Sequence, residues 1–473
     1  MSNTVKQATE LNLDDIKSIY FIGIGGTSMS GLALMSKTNG FEVSGSDMRP
    51  CSYTDKLIKA GVPVYIGQKK ENVPEDCDLV VYSAAIRPEN PEFQAALEYG
   101  IPMLERSYFL GKLSLLYPDT IAISGTHGKT TTSSLTALTL LNANLDPSIS
   151  IGGTLEAIGG NSRMGDSRYF VIEACEFVDS FLHTKHNIGV ILNIDNDHLD
   201  YFTGGIEQIK QSFLKFARII PRYGLLIANG DDPHVREILP EVKAKTQLFG
   251  ESDDCYWRAE NIRYDELGKP TYDVIKCGEY FGTFSLNIPG HHNVMNSLAV
   301  IAIAEYLGIN HDVIQRSFHQ FKGAKRRFEL RGDVKGIKVF EDYAHHPKEL
   351  GVTISACKNY KHNKLWVVFQ PHTYSRTFYL FDEFVDAFAP ADEVVLNDIY
   401  SDREPNDWNI YSEDIAEKVR EKYGIPIQVI SAFEDIVKYL KDNVKEGDLV
   451  LVAGSQTINK VAFDLVDALK EDE

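Results

Sequence analysis

Residues 120–130, Thr-Ile-Ala-Ile-Ser-Gly-Thr-His-Gly-Lys-Thr, decide the fold of this chain. A short apolar run predicts a buried strand, a glycine loop follows it, and a Thr- and Leu-rich helix begins after the loop. The backbone N–H groups of such a loop converge with the helix N-terminus on an anion, for which phosphate is the natural ligand. Lys129 would supply positive charge to the β- and γ-phosphates of a nucleotide, and the Thr130 hydroxyl would be a ligand of Mg²⁺.

The loop is shorter than the usual Walker pattern, because Ile123 stands where the first glycine of that pattern is expected. Gly-Lys-Thr after a strand is also compatible with a plain helix cap. The order of strand, loop and helix favours the phosphate site, and we predict one over residues 125–130.

A second glycine turn, Gly23-Ile24-Gly25-Gly26-Thr27-Ser28, follows the apolar run that starts at Ser18. It is similar to a dinucleotide fingerprint in which Ser28 replaces the third glycine, and Asp47 lies about where a ribose-binding acid is expected. Two alternatives stay open on this motif alone, namely a tight turn without a ligand and a site for NAD.

Polar residues follow several predicted strands. Glu173 and His198 lie at strand ends, where the active site of a parallel sheet opens. With a phosphate they could hold Mg²⁺ or Mn²⁺, although a lone histidine is also compatible with capping or packing. Single polar clusters are often solvated surface, but four at predicted strand or helix ends favour a site. These clusters are 291–296, 326–329, 341–347 and 370–376.

Strand and helix patterns alternate along the chain, which predicts parallel, doubly wound sheets. The pattern restarts near Tyr117-Pro118 and after residues 326–329, and short strands form a meander between Lys245 and Leu286. At 473 residues the chain is long enough for about three domains. We predict three α/β domains, at residues 1–115, 116–325 and 326–473.

The composition is that of a globular protein with an acidic balance. A formal net charge of −19 argues against wrapping nucleic acid or coating an anionic membrane, since both need a basic surface. No window approaches the ~18 unbroken apolar residues of a membrane span, and residues 1–16 do not resemble a signal peptide. The six cysteines are scattered, without zinc-ligand spacing. We expect a cytoplasmic protein with reduced thiols, no nucleic-acid partner and no membrane insertion.

Together, these segments resemble the Mur ligase superfamily from about Ile19 to Gln456. The most specific pieces are the shortened loop at 125–130, Asn-Ile-Asp-Asn-Asp-His-Leu-Asp at 193–200, and Asp-Tyr-Ala-His-His-Pro at 342–347. The resemblance implies an N-terminal Rossmann-like domain for a UDP-sugar, a central P-loop ATPase domain and a C-terminal Rossmann-like domain for an amino acid. It also implies that the first glycine turn holds a UDP diphosphate and not NAD.

The resemblance is strongest to the branch that joins L-alanine to UDP-N-acetylmuramic acid, the first step of the peptidoglycan stem peptide. It implies that the muramoyl carboxylate attacks the γ-phosphate of ATP, and that the alanine amine then attacks the resulting acyl phosphate. ATP and Mg²⁺, with Mn²⁺ as a substitute, are the implied cofactors. We expect a monomer or a weak homodimer.

The resemblance also assigns roles to individual residues, and closure of the third domain would complete the site. The implied catalytic residues are Lys129, Glu173, His198, Arg327 and Asp342. The ATP site would comprise Gly125, Thr126, His127, Gly128, Lys129, Thr130, Thr131, Asn293 and Asn296. The UDP-sugar would contact Gly23, Gly25, Gly26, Ser28, Asp47 and Ser83, the last within the stretch 83–86. The metal ligands would be Thr130, Glu173 and His198. Alanine would contact Tyr343, His345, His346 and Arg376.

Two departures from the family pattern bear on these roles. The acidic motif, often Glu-Ala-Asp-Glu-Ser-Asp, is Glu-Ala-Cys-Glu-Phe-Val-Asp at 173–179 and keeps its leading glutamate. Thr373 stands where some members have an arginine, which leaves Arg376 as the only arginine of that motif to bind the alanine carboxylate.

Other functions are compatible with parts of the sequence. The recycling ligase, which attaches a tripeptide to the same UDP-sugar, would share the first two domains, but the His345-His346 pair favours the alanine-adding form. Folylpolyglutamate synthetases share the ATPase but lack such an N-terminal domain. An NAD-dependent oxidoreductase would use the first glycine turn and Asp47, and a nucleotide-gated binding protein would use the phosphate loop without chemistry.

Overall fold

The computed structural model describes residues 11–83, 85–324, 326–401, 404–455 and 457–470. Over these residues the chain forms three α/β units, each built on one β-sheet, which confirms the predicted three-domain α/β class. Ala84 in the predicted 83–86 stretch, Lys325 at the second predicted boundary and Gln456 lie outside the described residues. No described helix has the length and apolar character required to cross a lipid bilayer.

The first sheet has five strands, all parallel. The strands are β1 (Ser18–Ile22), β2 (Glu42–Asp47), β3 (Val64–Ile66), β4 (Leu79–Tyr82) and β5 (Met103–Glu105). The helices are α1 (Thr27–Thr38), α2 (Ser52–Lys59), α3 (Pro91–Glu98) and α4 (Arg106–Ser114). In the order β3-β2-β1-β4-β5, the central β1 is buried on both faces, because Phe21 packs towards α1 and α4 while Tyr20 packs towards α3.

The second sheet has ten strands and is mixed. The strands are β6 (Asp119–Ser124), β7 (Ser148–Leu155), β8 (Gly160–Arg163), β9 (Tyr169–Glu173), β10 (Ile188–Ile191), β11 (Leu225–Asn229), β12 (Lys245–Gly250), β13 (Trp257–Tyr264), β14 (Pro270–Lys276) and β15 (Glu279–Ser285). The helices are α5 (Lys129–Asn142), α6 (Gly205–Ile219), α7 (Pro233–Ile238), α8 (His291–Tyr306) and α9 (His311–Gln320). The order is β15-β14-β13-β12-β11-β10-β6-β9-β7-β8, with antiparallel pairs only at its two ends.

The third sheet has six strands, of which only the first is antiparallel to its neighbour. The strands are β16 (Glu329–Val334), β17 (Ile337–Asp342), β18 (Leu365–Phe369), β19 (Glu393–Leu396), β20 (Ile427–Val429) and β21 (Leu449–Ala453). The helices are α10 (Pro347–Cys357), α11 (Tyr374–Tyr379), α12 (Phe381–Ala387), α13 (Ser412–Tyr423), α14 (Phe433–Asn443) and α15 (Asn459–Lys470). In the order β16-β17-β21-β18-β19-β20, β16 is an antiparallel edge strand added to a parallel sheet that is covered on both faces, whereas the first sheet has the strand order of a Rossmann fold.

The predicted apolar strands recur in these sheets, but the sequence analysis missed β5, β16 and the hairpin of β7 and β8. The apolar alternation of β7 is short, Ser-Ile-Ser-Ile at 148–151, and β8 has no apolar residue. Strand β7 pairs with β9 and buries Ile149 and Ile151 in the core of the second unit. The hairpin also contacts α1 of the first unit, where Asn161 donates to the Thr27 carbonyl at 2.8 Å.

The topology brings three predicted chemical segments to one edge of the second sheet. Strand β6 lies between β9 and β10, and all three run parallel. Their carboxyl ends therefore lie side by side, where ligands of parallel α/β sheets bind. The phosphate loop, Glu173 and the segment 192–198 follow these three ends.

Candidate active site

Two glycines and an asparagine shape the loop between β6 and α5. Gly125 and Gly128 have φ angles of 142° and 84°, which other residues rarely adopt. The Asn193 side chain accepts the His127 N–H at 2.8 Å and donates to the His127 carbonyl at 3.1 Å. A Cβ atom on Gly128 would lie 2.6 Å from Oδ1 of Asn296. Position 128 thus requires glycine for both conformation and space.

Lys129, the first residue of α5, is paired with a buried acid. Its Nζ donates to the carbonyls of Gly125 and Thr126 at 2.6 and 2.9 Å and lies 2.9 Å from Oε2 of Glu176. Burial alone lowers the pKa of Lys129, but the charge and hydrogen bond of Glu176, together with other acidic groups nearby, outweigh burial and raise that pKa above its ordinary value. The ammonium therefore stays charged beside the loop that would bind an anion.

Glu173, the last residue of β9, contacts the first turn of α5. Its Oε1 accepts the Thr130 hydroxyl at 3.0 Å, and its Oε2 accepts the Gly152 N–H at 2.7 Å and the Ser133 hydroxyl at 3.3 Å. A carboxylate beside hydroxyls is an all-oxygen donor set, which hard cations such as Mg²⁺ prefer. Thr130 and Glu173, two of the three predicted metal ligands, are therefore placed to bind such a cation together.

His198, the third predicted ligand, has a φ angle of 52° and packs with its ring centroid 4.6 Å from that of Phe177. Its Nε2 lies 3.7 Å from Oδ2 of Asp197. Burial lowers the pKa of His198, so the neutral ring has a nitrogen lone pair to offer a cation. Over the described part of the chain, no direct contact joins His198 to Thr130 or Glu173.

The two predicted asparagines lie in the first turns of α8. Asn296 donates to Oδ1 of Asn293 at 3.2 Å, and Asn293 donates to the Pro289 carbonyl at 2.7 Å. Both are buried, and Asn296 lies directly against the phosphate loop at Gly128. Thr131, also predicted, is half-buried in the first turn of α5.

Arg327 and Asp342 lie where the second unit joins the third. Asp342, the last residue of β17, accepts the N–H groups of Phe328 and Ala344 at 2.7 and 2.6 Å. Burial raises the pKa of Asp342 to about 6, although the Arg327 charge acts in the opposite direction. The Arg327 guanidinium lies 5.2 Å from the ring centroid of Tyr343.

Arg376 joins the third unit to the second. Its Nε and Nη2 lie 2.9 and 2.8 Å from Oδ1 of Asp197, and its Nη1 donates to the His372 carbonyl at 3.1 Å. Burial raises the pKa of Asp197, but Arg376 and, to a smaller extent, the neighbouring histidines together outweigh burial and hold that pKa well below its ordinary value. The guanidinium predicted to bind the alanine carboxylate thus already forms a buried ion pair.

A small cavity opens beside this ion pair, between the second and third units. Besides Asp197, His198 and Arg376, it is lined by Leu199, Asp200, Thr373, Ser375 and Leu380. The carboxylates and the guanidinium of the lining would match the charged ends of a small zwitterion, although in this structure the cavity has room for about one water molecule.

His345 and His346 precede α10 and face different partners. His346 Nε2 lies 2.9 Å from the Asn196 carbonyl of the second unit, and its Nδ1 accepts the Lys348 N–H at 3.3 Å. His345 Nδ1 lies 3.1 Å from the Tyr343 carbonyl. Burial lowers the pKa of each histidine to about 4, so both rings are neutral. Both nitrogens of His346 are therefore already engaged.

The site also contains acids to which the sequence analysis gave no role, namely Glu176, Asp195, Asp197 and Glu349. The first three lie inside the quoted segments 173–179 and 193–200, so their motifs pointed to them. Glu349 lies in the first turn of α10, where an acid is common simply because it suits the helix dipole. Nothing in the local sequence distinguishes it from such a residue.

The first glycine turn, between β1 and α1, is built around Asp47. This carboxylate, at the end of β2, accepts the Gly25 N–H at 2.8 Å. A Cβ atom on Gly25 would lie 2.8 Å from Oδ2 of Asp47 and 2.9 Å from Cγ2 of Thr54. Gly23 has a φ angle of 80°. Asp47 thus supports the turn itself.

The N-terminus of α1 opens beside this turn. Gly26 is the N-cap of the helix, and its cap has no side-chain hydrogen bond. The Ser28 hydroxyl accepts a hydrogen bond from Arg106 at 3.3 Å, and Ser83 follows the neighbouring strand β4. The predicted residues are therefore grouped at one sheet edge, where free backbone N–H groups and a guanidinium suit an anionic ligand.

Three family models match consecutive parts of the chain. The "Mur ligase family, catalytic domain" model matches residues 18–117, the "Mur ligase middle domain" model matches 123–304, and the "Mur ligase, glutamate ligase domain" model matches 326–456. The chain belongs to the Mur ligase family.

The named relatives include a UDP-N-acetylmuramate–L-alanine ligase from Acetivibrio thermocellus. It is 46% identical over 458 residues, which cover 97% of this chain and 97% of the relative. The crystal structure of UDP-N-acetylmuramate-alanine ligase from Thermotoga maritima is 27% identical, with a TM-score of 0.81 over 97% of this chain and 100% of that one. A murein peptide ligase from Psychrobacter arcticus is 26% identical, with a TM-score of 0.71 over 96% and 98%.

Proposed function

We propose that this protein joins L-alanine to the carboxylate of UDP-N-acetylmuramic acid at the expense of ATP, the first step of peptidoglycan stem-peptide synthesis. The observation that carries the proposal is the 46% identity to a ligase of that name over nearly the whole of both chains. The phosphate loop, the acids beside it and the charged groups between the second and third units support the same chemistry.

In the first step, the muramoyl carboxylate attacks the γ-phosphate of ATP and gives an acyl phosphate and ADP. Two anions meet, so positive charge must lie at the loop between β6 and α5. Lys129 supplies this charge, and its ion pair with Glu176 keeps the ammonium group protonated and near the loop. Thr130 and Glu173 would hold Mg²⁺ or Mn²⁺, which would neutralise charge on the phosphoryl group, and His198 would serve a second cation position.

In the second step, the alanine amine attacks the acyl phosphate and phosphate leaves. The cavity between the second and third units would orient alanine. Arg376 keeps N–H groups beyond those that bind Asp197, and these would bind the alanine carboxylate. Thr373 and Leu380, which line this cavity, would contact the methyl group of alanine.

We also propose the domain limits 1–115, 116–325 and 326–473, with the UDP-sugar on the first, ATP on the second and alanine between the second and third. Both nucleotide substrates are metabolites of the cytoplasm, so we place the protein there. We propose a monomer or a weak homodimer, which sedimentation at several protein concentrations would distinguish.

The test is phosphate release from ATP with UDP-N-acetylmuramic acid, with and without L-alanine. We expect alanine-dependent release and a product heavier by one alanyl residue. The similarity to a murein peptide ligase makes L-Ala-γ-D-Glu-diaminopimelate the competing acceptor. Preference for that tripeptide would reassign the chain to the recycling reaction. No release with either would contradict ligation and would direct attention to nicotinamide binding at the first glycine turn.

A further inference from the structure

Glu349 connects the phosphate loop to the third unit through a buried carboxylate. Its side chain, in the first turn of α10, is 15% exposed. Oε1 lies 3.4 Å from Nδ1 of His127 and 3.9 Å from Nη1 of Arg327. Oε2 accepts the backbone N–H of His345 at 3.3 Å and lies 3.4 Å from Nδ1 of that ring. One carboxylate thus contacts three segments to which different parts of the site belong.

The charges around Glu349 balance it. Burial raises the pKa of a carboxyl group, but His345, His127 and Arg327 together hold the pKa of Glu349 well below its ordinary value. Glu349 is therefore an anion at neutral pH. A buried anion is retained only when cations and donors surround it, and here these come from two units. Replacing the carboxylate would remove one of the two acids beside His127 and the ion pair of Arg327.

On the side of the second unit, Glu349 faces the imidazole of the phosphate loop. His127 Nε2 lies 3.1 Å from Oδ2 of Asp195, whose other oxygen pairs with Lys348 at 2.7 Å. The His346 ring lies 4.6 Å from the His127 ring. Burial alone lowers the pKa of His127, but Asp195 and Glu349 raise it to about 9. The His127 ring is therefore a cation held between two carboxylates.

On the side of the third unit, Glu349 orients His345. The His345 Nδ1 lies between the Tyr343 carbonyl and Oε2 of Glu349, so the Nδ1–H faces two acceptors. The ring plane is thereby fixed, and its Nε2 points away from this pair of acceptors. Since Tyr343 and His345 belong to the proposed alanine-binding segment, Glu349 fixes part of that segment relative to the phosphate loop.

We propose that Glu349 is a positioning residue of the ligation reaction, which aligns the alanine-binding segment of the third unit with the phosphate loop of the second. It acts through His127 and His345 and does not itself contact the reacting atoms. Formation of the acyl phosphate and attack by the amine then occur in one assembled site. The inference rests on the proposed ligase function.

The first experiment compares Glu349→Gln with Glu341→Gln. Glu341 is also a fully buried carboxylate of the third unit, but its oxygens pair with Arg326 and Arg331 at 2.6 Å within that unit. For Glu349→Gln we expect kcat to fall about 10- to 100-fold and KM for alanine to rise. We expect UDP-sugar affinity to stay within about twofold. Glu341→Gln should lower the free energy of unfolding without this fall in kcat and rise in KM for alanine. Equal kinetic losses in the two variants would overturn the proposal.

The second readout is the pH profile of kcat/KM for ATP, which reports groups of the free enzyme. Asp195, Glu349, His346 and, through Asp195, Lys348 face His127. Removing one of its two carboxylates should weaken protonation of His127, so the basic limb should move to lower pH in Glu349→Gln. A purely structural role would lower activity at every pH without moving the limb, and that result would contradict the proposal.

A double-mutant cycle with His127→Gln decides whether Glu349 acts through the phosphate loop. We expect the double variant to lose little more activity than the worse single variant. If the loss in the double variant equals the product of the two single losses, the residues act independently and the proposal is overturned. Glu349→Asp keeps the charge and should recover part of the activity, which separates loss of charge from misfolding. The cycle is measured with alanine or with the tripeptide, whichever supports turnover by the wild type. If the wild type turns over only the tripeptide, the proposed substrate is wrong, and the role of Glu349 is still tested with the tripeptide.

Discussion

The two glycine turns of this protein have the same backbone design and different side chains. Each follows a central parallel strand, β1 or β6, and each opens a helix. In the first turn, the carboxylate of Asp47 accepts a backbone N–H of the turn itself. In the second, Lys129 faces Glu176, and Thr130 faces Glu173. The first turn has the features of a binding site, and the second has those of a site for phosphoryl transfer.

The difference shows that a strand-turn-helix element supplies anion binding through its backbone, while chemistry comes from neighbouring strands. Glu173 ends β9, and residues 192–198 follow β10, so the acids and histidines of the second site come from either side of β6. The corresponding neighbours of β1 end at Asp47 and Tyr82. Variants at each turn therefore test whether binding and chemistry are separate.

The largest expected effect is that of Lys129→Ala. Loss of the only lysine of the phosphate loop should lower kcat by about 1,000-fold or more, because the charge of the transferred phosphoryl group would lose its partner. UDP-sugar affinity, measured by calorimetry, should stay unchanged. Lys276→Ala, which removes a lysine paired with Glu305 in the same unit, is the control. Loss of UDP-sugar binding in Lys129→Ala would show that the two turns are not independent.

A smaller effect is expected for Glu173→Gln. The amide keeps the shape of the side chain but removes the charge that would hold Mg²⁺, so turnover should fall about 100-fold and half-saturation by Mg²⁺ should rise. Glu260→Gln, at an ion pair with Arg258 on β13, is the matched control. Chelation should stop turnover in the wild type, with recovery on addition of Mg²⁺ or Mn²⁺. Full activity without a divalent cation would contradict the assignment.

For the first turn we expect a binding defect only. A Cβ atom in Gly25→Ala would press on Asp47 and Thr54, so the Kd for the UDP-sugar should rise about tenfold, or ~1.4 kcal/mol. KM for ATP should not change. Gly160→Ala, where a Cβ meets open space, serves as the control. A change in KM for ATP as large as that in the UDP-sugar Kd would argue against separate roles.

The last comparison concerns stability and not turnover, since the second turn has a titratable ring and the first does not. The pKa of His127 is about 9, against an ordinary 6.5. Its contribution to stability is therefore complete below pH 6.5 and is lost as pH rises through 9, to a limit of about 3 kcal/mol. The difference in melting temperature between the wild type and His127→Gln, measured by calorimetry, should become smaller between pH 6.5 and 9.5. A constant difference would contradict the ion pairs described.

The local sequence was sufficient to predict much of the fold. Short apolar runs such as 121–123 and 449–453 predicted buried parallel strands, because strands that are covered on both faces have near-continuous apolar sequences. The hairpin of β7 and β8 was missed, since its alternating apolar pattern extends over only 148–151 and glycines interrupt it. Glu173 was predicted from its place at a strand end, and the structure puts it in contact with Thr130.

The sequence by itself determined the three α/β units, the two glycine turns and the lysine beside the second, because each depends on residues adjacent in the chain. The tertiary structure decided the contacts between units. Arg376 pairs with Asp197 across 179 residues, and Glu349 meets His127 across 222. No local pattern encodes such pairs, because an isolated acid or arginine has the same sequence signature at a solvated surface as in a buried ion pair. Only packing of one sheet edge against another removes water and gives these charges their partners.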